Sequence, residues 1–243
     1  RVLILESARP SAIRREVSFC EAVYDGEAFV EGVLSHRIQD VGECAGIWEM
    51  GEIPLLVDET GEAIKKLHPA AVIDAILAKK NLGTNRAMAP LTIALGPGFL
   101  AGRDVDYVVE TQRGHDLGRI VEEGWAAPNT GIPGMIGGYG KERVIHSPAA
   151  GTIHSRAKIS DLVEKDQVIA VISTEKNREI PVFATISGVL RGMIREEYQV
   201  SEGMKIADID PRKEQKKNCN TISDKARCIA GTAVSYTHLR AHE

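Results

Sequence analysis

The sequence predicts an α/β protein in two parts: a mostly parallel sheet covered by helices over residues 1–123, and a small flattened β-sandwich over 143–212. Three observations predict it. Short apolar runs alternate with helix-like segments through the first half, the pattern of a sheet with helical crossovers. Glycine and proline then crowd residues 124–142. Beyond them, apolar and glycine positions repeat at an offset of 37 residues. A chain of 243 residues with 43% apolar content can bury a core, and its length suits about two domains.

Taken in order, Val2–Leu5 reads as a buried strand ending at Glu6. It begins directly after Arg1, with no initiating Met, so an upstream element is expected ahead of it. Ser11 is placed to cap a helix reaching Cys20 and Ala22. Glu27–Arg37 alternates in part and suits a strand or hairpin arm. Ala45–Met50 suits a helical turn and Ile53–Val57 a strand. Ala70–Leu77, Leu91–Leu95 and Val105–Val109 are further strands, although periodicity leaves Ala70–Leu77 open to a buried helix. Leu117–Val121 reads as helical. Together these make a Rossmann-like domain, truncated at its amino end, over 1–123. Residues 124–142 are a linker or mobile lid, and 213–231 a helical segment. The end of the chain, 232–243, does not continue that segment's pattern and resembles translated adaptor sequence, so it is read as non-native. His238 and His242 have the spacing of helical metal ligands, but they fall in that tail, and no metal site is assigned.

Composition narrows the function. Thirty Lys and Arg against 34 Asp and Glu leave a net charge of −4, which supplies no basic field for nucleic acid or an anionic membrane. No apolar run suits a bilayer span and no signal peptide is evident. Cys20, Cys44, Cys219 and Cys228 form no Cys-x-x-Cys pair, which points to reduced thiols in a cytoplasmic protein.

The richest chemistry follows Val105–Val109, where Thr111, Gln112, Arg113, Gly114, His115 and Asp116 gather donors, a cation, an imidazole and a carboxylate around one glycine. In open α/β sheets ligands collect beyond the carboxyl ends of strands, so this cluster is a candidate site; the plain alternative is a solvated turn with an Asp cap. Gly96 and Gly98, after Leu91–Leu95, let backbone N–H groups approach an anion, or form a tight turn. Glu6 stands where dinucleotide folds place an acid on a ribose hydroxyl, but the glycine loop that should precede it is missing. In the combined site Gly96 and Gly98 offer N–H donors, and Arg113 and Arg119 offer charge. Thr111, Gln112 and Asp116 offer a hydrogen-bonding edge; His115, as acid–base group or ligand, and Asp116 are the catalytic candidates.

In the second half, Gly151 falls on Gly188, Ile153 on Leu190, Val163 on Val200 and Ile169 on Ile206. Two such copies can bury each other's faces, and the pattern resembles the barrel-sandwich fold of lipoyl and biotinyl carrier domains. The joining segment carries Glu175-Lys176, which looks like the Asp-Lys pair of a lipoyl domain. Its spacing to Ser187-Gly188 is one residue longer, and the Met-Lys-Met of biotinyl domains is absent. A charged hairpin tip is the alternative.

An ordered series of segments, Arg9–Arg15, Ser18–Tyr24, Glu52–Asp58, Leu95–Phe99, Glu110–Arg119, Ile186–Gly192, Lys205–Arg212 and Ser223–Arg227, resembles the YqeB-type accessory proteins of the selenium-dependent molybdenum hydroxylase system. The resemblance spans nearly all of 1–231. It implies a maturation role, the molybdenum cofactor or a nucleotide as ligand, and the hydroxylase apoenzyme or other maturation factors as partners. It assigns no chemical step. Family members carry a Gly-Asp-Leu-Ala-Thr-Gly loop ahead of the position where this chain starts, so a phosphate site that used it would be incomplete here. Two other classes stay open on the residues alone: a nicotinamide-dependent oxidoreductase, from the sheet pattern and Glu6, and a carrier module built on Lys176.

Overall fold

The computed structural model describes residues 1–131 and 133–240, with side chains as far as residue 238. The described chain is mixed α/β, with several small sheets and few helices: four four-stranded sheets, one two-stranded ribbon, and α-helices of 4, 6, 6 and 17 residues. It divides into two compact units, Arg1–Glu59 with Ile132–Thr221, and Thr60–Gly131 with Ile222–Glu243. The divisions fall at Glu59/Thr60, inside the Gly- and Pro-rich stretch read as a linker, and at Thr221/Ile222.

This corrects the expected fold. Among the described residues no Rossmann-like sheet forms, because the strands of the first half are shared between two separate four-stranded sheets, one in each unit, and a two-stranded ribbon. The physical reason lies in the connections. Gly26 caps Ala22–Asp25 at φ +87° and Gly51 follows Cys44–Glu49 at φ +76°, so left-handed glycines stop the helices before they can cover a sheet. The helix expected after Ser11 is replaced by two 3-10 turns, Arg15–Val17 and Phe19–Glu21, the second capped by Ser18.

In the first unit, Ile4–Glu6, Ile53–Val57 and Val33–Ile38 run parallel, and Glu27–Val30 closes the edge antiparallel through a hairpin. Glu31 and Gly32 both have positive φ at its tip, as a two-residue hairpin loop of this twist requires. Ala22, Val23 and Leu55 form its small core.

The same unit holds two antiparallel sheets. One is ordered Val144–His146, Lys205–Asp210, Gly188–Met193, Leu162–Val163; the other Glu179–Phe183, Val168–Ser173, Gly151–Ser155, Gln199–Val200. Ile153, Ile169, Ile172, Leu190, Ile206 and Ile209 are buried in one core shared by both. These residues do not stand apart as a carrier-type domain, which corrects the expected barrel-sandwich assignment. The Met193 N–H donates to the Ile13 carbonyl at 2.8 Å, and Arg15 Nε donates to the Met193 carbonyl at 2.9 Å, so the amino-terminal segment is part of the structure. Lys176 is exposed on the Thr174–Arg178 turn.

In the second unit, Ala71–Asp74, Leu91–Leu95 and Tyr107–Val109 run parallel, and Ile120–Val121 joins antiparallel. Leu117–Val121 is therefore not helical. Gly114 and Gly118 take φ +148° and +79° and turn the chain back into the sheet. The helix Asp224–Arg240 covers one face, with Ile229 packed among Leu91, Ile93 and Val109. It runs unbroken through residue 232, where the foreign tail was expected to begin; residues 241–243, His242 included, lie outside the described residues.

Candidate functional site

The three parallel strands of the second unit deliver their following loops to one sheet edge. After Ala71–Asp74, the buried Asp74 carboxylate accepts from the Ile76 N–H at 3.1 Å and the Thr84 hydroxyl at 2.6 Å, pinning both ends of the loop between them. After Leu91–Leu95, Gly96 turns at φ +84° and donates its N–H to the Val109 carbonyl at 2.9 Å. A Cβ on Gly96 would lie 2.6 Å from Thr111 Oγ1, and one on Gly98 would lie 2.6 Å from Lys80 Cα. Only glycines let these loops meet.

After Tyr107–Val109 comes Glu110, 7% exposed. Its carboxylate accepts from the Gln112 N–H at 2.6 Å and the Ala127 N–H at 2.7 Å, so it organises the loop from within. Gly96, Gly98 and Thr111 are thus brought together. Gln112 is exposed, with its backbone held by Glu110. Arg113 forms two hydrogen bonds to the Asp224 carboxylate, at 2.9 and 2.7 Å. Asp116 pairs with Arg119 at 2.9 Å, both exposed. Gly114 and His115 are exposed on the same loop, and among the described residues His115 makes no hydrogen bond. Glu6 belongs to the first unit, and its carboxylate accepts from the Ser7 N–H at 2.7 Å.

Sequence reasoning missed the lysines at this edge. Lys79 and Lys80 lie on the loop after Ala71–Asp74, and Lys225 on the first turn of Asp224–Arg240. Burial lowers the Lys225 pKa; Lys79 and Arg113 push the same way, while Glu110 and Asp224 oppose. Among the described residues none of the three ammonium groups has an ion-pair partner. No local signal could have joined Lys79 to Lys225 across so much chain. Elsewhere among the described residues, no group of three or more His, Cys, Asp or Glu side chains is arranged to hold a metal ion. No helix there is long and apolar enough to cross a membrane.

Fold and site define a mixed α/β protein of small sheets, with a glycine- and lysine-lined strand edge. In sequence the chain is YqeB-like: over all 243 residues it is 44% identical to the uncharacterized protein YqeB of Escherichia coli strain K12, and it spans 44% of that protein's length. No protein-family model matches the chain. Among solved structures, a succinylglutamate desuccinylase from Silicibacter sp. TM1040 is similar at TM-score 0.28 and 12% identity, covering 85% of this chain and 56% of the other. An aspartoacylase family protein from Mesorhizobium loti is similar at TM-score 0.26 and 20% identity, covering 28% of this chain and 24% of the other. These likenesses are too slight to carry an argument about fold or activity.

Proposed function

We propose that this chain acts in the maturation of selenium-dependent molybdenum hydroxylases, in the cytoplasm, by binding the molybdenum cofactor or a nucleotide at the strand edge of the second unit. The observation that carries this reading is the meeting of Gly96, Gly98 and Thr111, at the carboxyl ends of three parallel strands, beside lysines that have no ion-pair partner among the described residues. A pterin cofactor brings an anionic phosphate and a ring edge rich in hydrogen-bonding groups. The residues present fit both: backbone N–H groups and ammonium groups for the first, Thr111, Gln112 and Asp116 for the second. The partners in this reading are the hydroxylase apoenzyme or other maturation factors. The whole relative is more than twice as long as this chain, and its additional length offers further surface for them.

The test is titration of the chain with molybdenum cofactor and, separately, with a nucleoside triphosphate. Saturable binding is expected for one of them. Thr111→Val and Arg113→Ala should weaken it, each by roughly 1.5–3 kcal/mol where the lost contact is charge-assisted and desolvated. His115→Ala separates a role in ligand binding from mere surface exposure. Absence of saturable binding by either ligand, or unchanged affinity in all three variants, would overturn the reading.

A further inference from the structure

We propose that the loop Leu77–Lys80 and the turn Gly96–Phe99 form a phosphate subsite, with the ammonium groups of Lys79 and Lys225 as its counter-charges. The proposal deepens the reading above and rests on it only for the identity of the larger molecule.

The backbone is the first argument. Leu77 and Lys79 both take positive φ, 58° and 64°, with Ala78 between them on the other side of the map. Gly96 and Gly98 take 84° and 112° around Pro97; since Pro97 has no N–H and the Gly96 N–H is given to the Val109 carbonyl, this turn offers the N–H groups of Gly98 and Phe99. Alternating handedness turns successive N–H groups toward one side and makes a concavity for an anion. Left-handed Leu and Lys are costly, by about 1 kcal/mol or more each, and such residues gather where a site needs them. The two segments touch, since a Gly98 Cβ would lie 2.7 Å from Lys80 N and 2.6 Å from its Cα. Among the described residues, the N–H groups of Ala78, Lys79, Lys80, Gly98 and Phe99 make no hydrogen bond within the chain.

Charge is the second argument. The acids on these loops are occupied: Asp74 accepts from the Ile76 N–H and the Thr84 hydroxyl, Glu110 from two backbone N–H groups, Asp116 pairs with Arg119, and Asp224 holds Arg113. Lys79 and Lys225 lack such partners, and half-buried Lys225 gains most from one. Two ammonium groups match the two charges of a phosphate monoester. Several converging N–H groups match its three terminal oxygens better than the two of a carboxylate. The same group ends a pterin phosphate, a nucleotide and free phosphate.

The experiment is calorimetric titration of the chain with inorganic phosphate at fixed ionic strength, alongside molybdenum cofactor and ATP. Saturable phosphate binding is expected, weakened about five- to tenfold by K79Q and by K225Q and abolished in the double variant. Lys176→Gln, on the Thr174–Arg178 turn of the first unit, should bind as the parent does. Should K225Q fail to fold, Lys225→Arg should retain binding, and hydrogen exchange of the parent should show phosphate protecting the amides of residues 78–80 and 98–99. No saturable phosphate binding, or binding indifferent to both lysines, overturns the subsite. Cofactor binding that ignores K79Q and K225Q removes the subsite while leaving the maturation reading. Lysine-dependent phosphate binding with neither cofactor nor ATP bound supports the subsite and removes that reading.

Discussion

Gly188 lies so close to Asp210 that a Cβ on it would sit 2.3 Å from the Asp210 carbonyl oxygen. Gly151 stands in the same relation to Ser173, also at 2.3 Å, and the same Cβ would lie 2.9 Å from the Cγ2 of an isoleucine, Ile209 for Gly188 and Ile172 for Gly151. The two sets are offset by 37 residues, so the repeat in the sequence is a repeat of contacts. Gly188→Ala must push a neighbouring strand aside and is expected to cost at least about 1–3 kcal/mol. Gly151→Ala should cost a similar amount. Urea unfolding of both variants checks this, and a loss below about 0.5 kcal/mol in either would show that the strand yields freely.

Arg195 grips Asp25 with two hydrogen bonds, at 2.9 and 2.6 Å, reaches Glu21 at 2.8 Å, and lies 4.5 Å from the centre of the Tyr24 ring. Arg195→Met should lower stability by about 1–2 kcal/mol, since the cluster is only partly buried. The hydrogen bonds from Arg195 hold the Asp25 carboxyl below its ordinary range. A depressed carboxylate contributes above its unfolded pKa and loses that contribution as pH falls through the folded value. Parent and Asp25→Asn should therefore differ most near neutrality and converge below about pH 4. Melting curves across that range decide it, and parallel curves would count against the pair.

Glu110→Gln places an amide where two backbone N–H groups need acceptors, and only one of its atoms can accept. A loss of about 1–3 kcal/mol is expected, with faster hydrogen exchange at Gln112 and Ala127. Unchanged exchange at both amides would mean that the carboxylate does not organise this loop.

The four thiols should react unequally. Cys20, Cys44 and Cys219 are buried and Cys228 is exposed. Burial pushes the Cys20 thiol up to about 11 and raises that of Cys44. Iodoacetamide at mildly alkaline pH should modify Cys228 first, with the others following only on unfolding. Mass mapping that found Cys20 alkylated early would contradict the packing around it.

The strands Ile53–Val57 and Leu91–Leu95 were legible because each is a continuous apolar run buried by its neighbours. Leu117–Val121 was misread because its apolar spacing suits a helix, while Gly118 stands at φ +79° and a Cβ on it would lie 2.6 Å from Cys228 Sγ, a long-range approach that periodicity does not register. At the candidate site, the closeness of Gly96 and Thr111 to one another was suggested by their places after neighbouring strands. Lys79 and Lys225 were not, since only the return of Asp224–Arg240 to the sheet places them in one field. Glu110 was passed over because its partner at Ala127 lies across the turn and the strand Ile120–Val121.

Both compact units are made of two stretches of chain, and the stretches interleave. On a ribosome this sets an order of completion. The sheet containing Leu91–Leu95 is synthesised early, but the helix that buries Ile93 arrives only after about 90 intervening residues, some 5–20 s later at usual elongation rates. Until then its apolar face has no cover of its own, and a nascent-chain chaperone has a defined interval in which to occupy it.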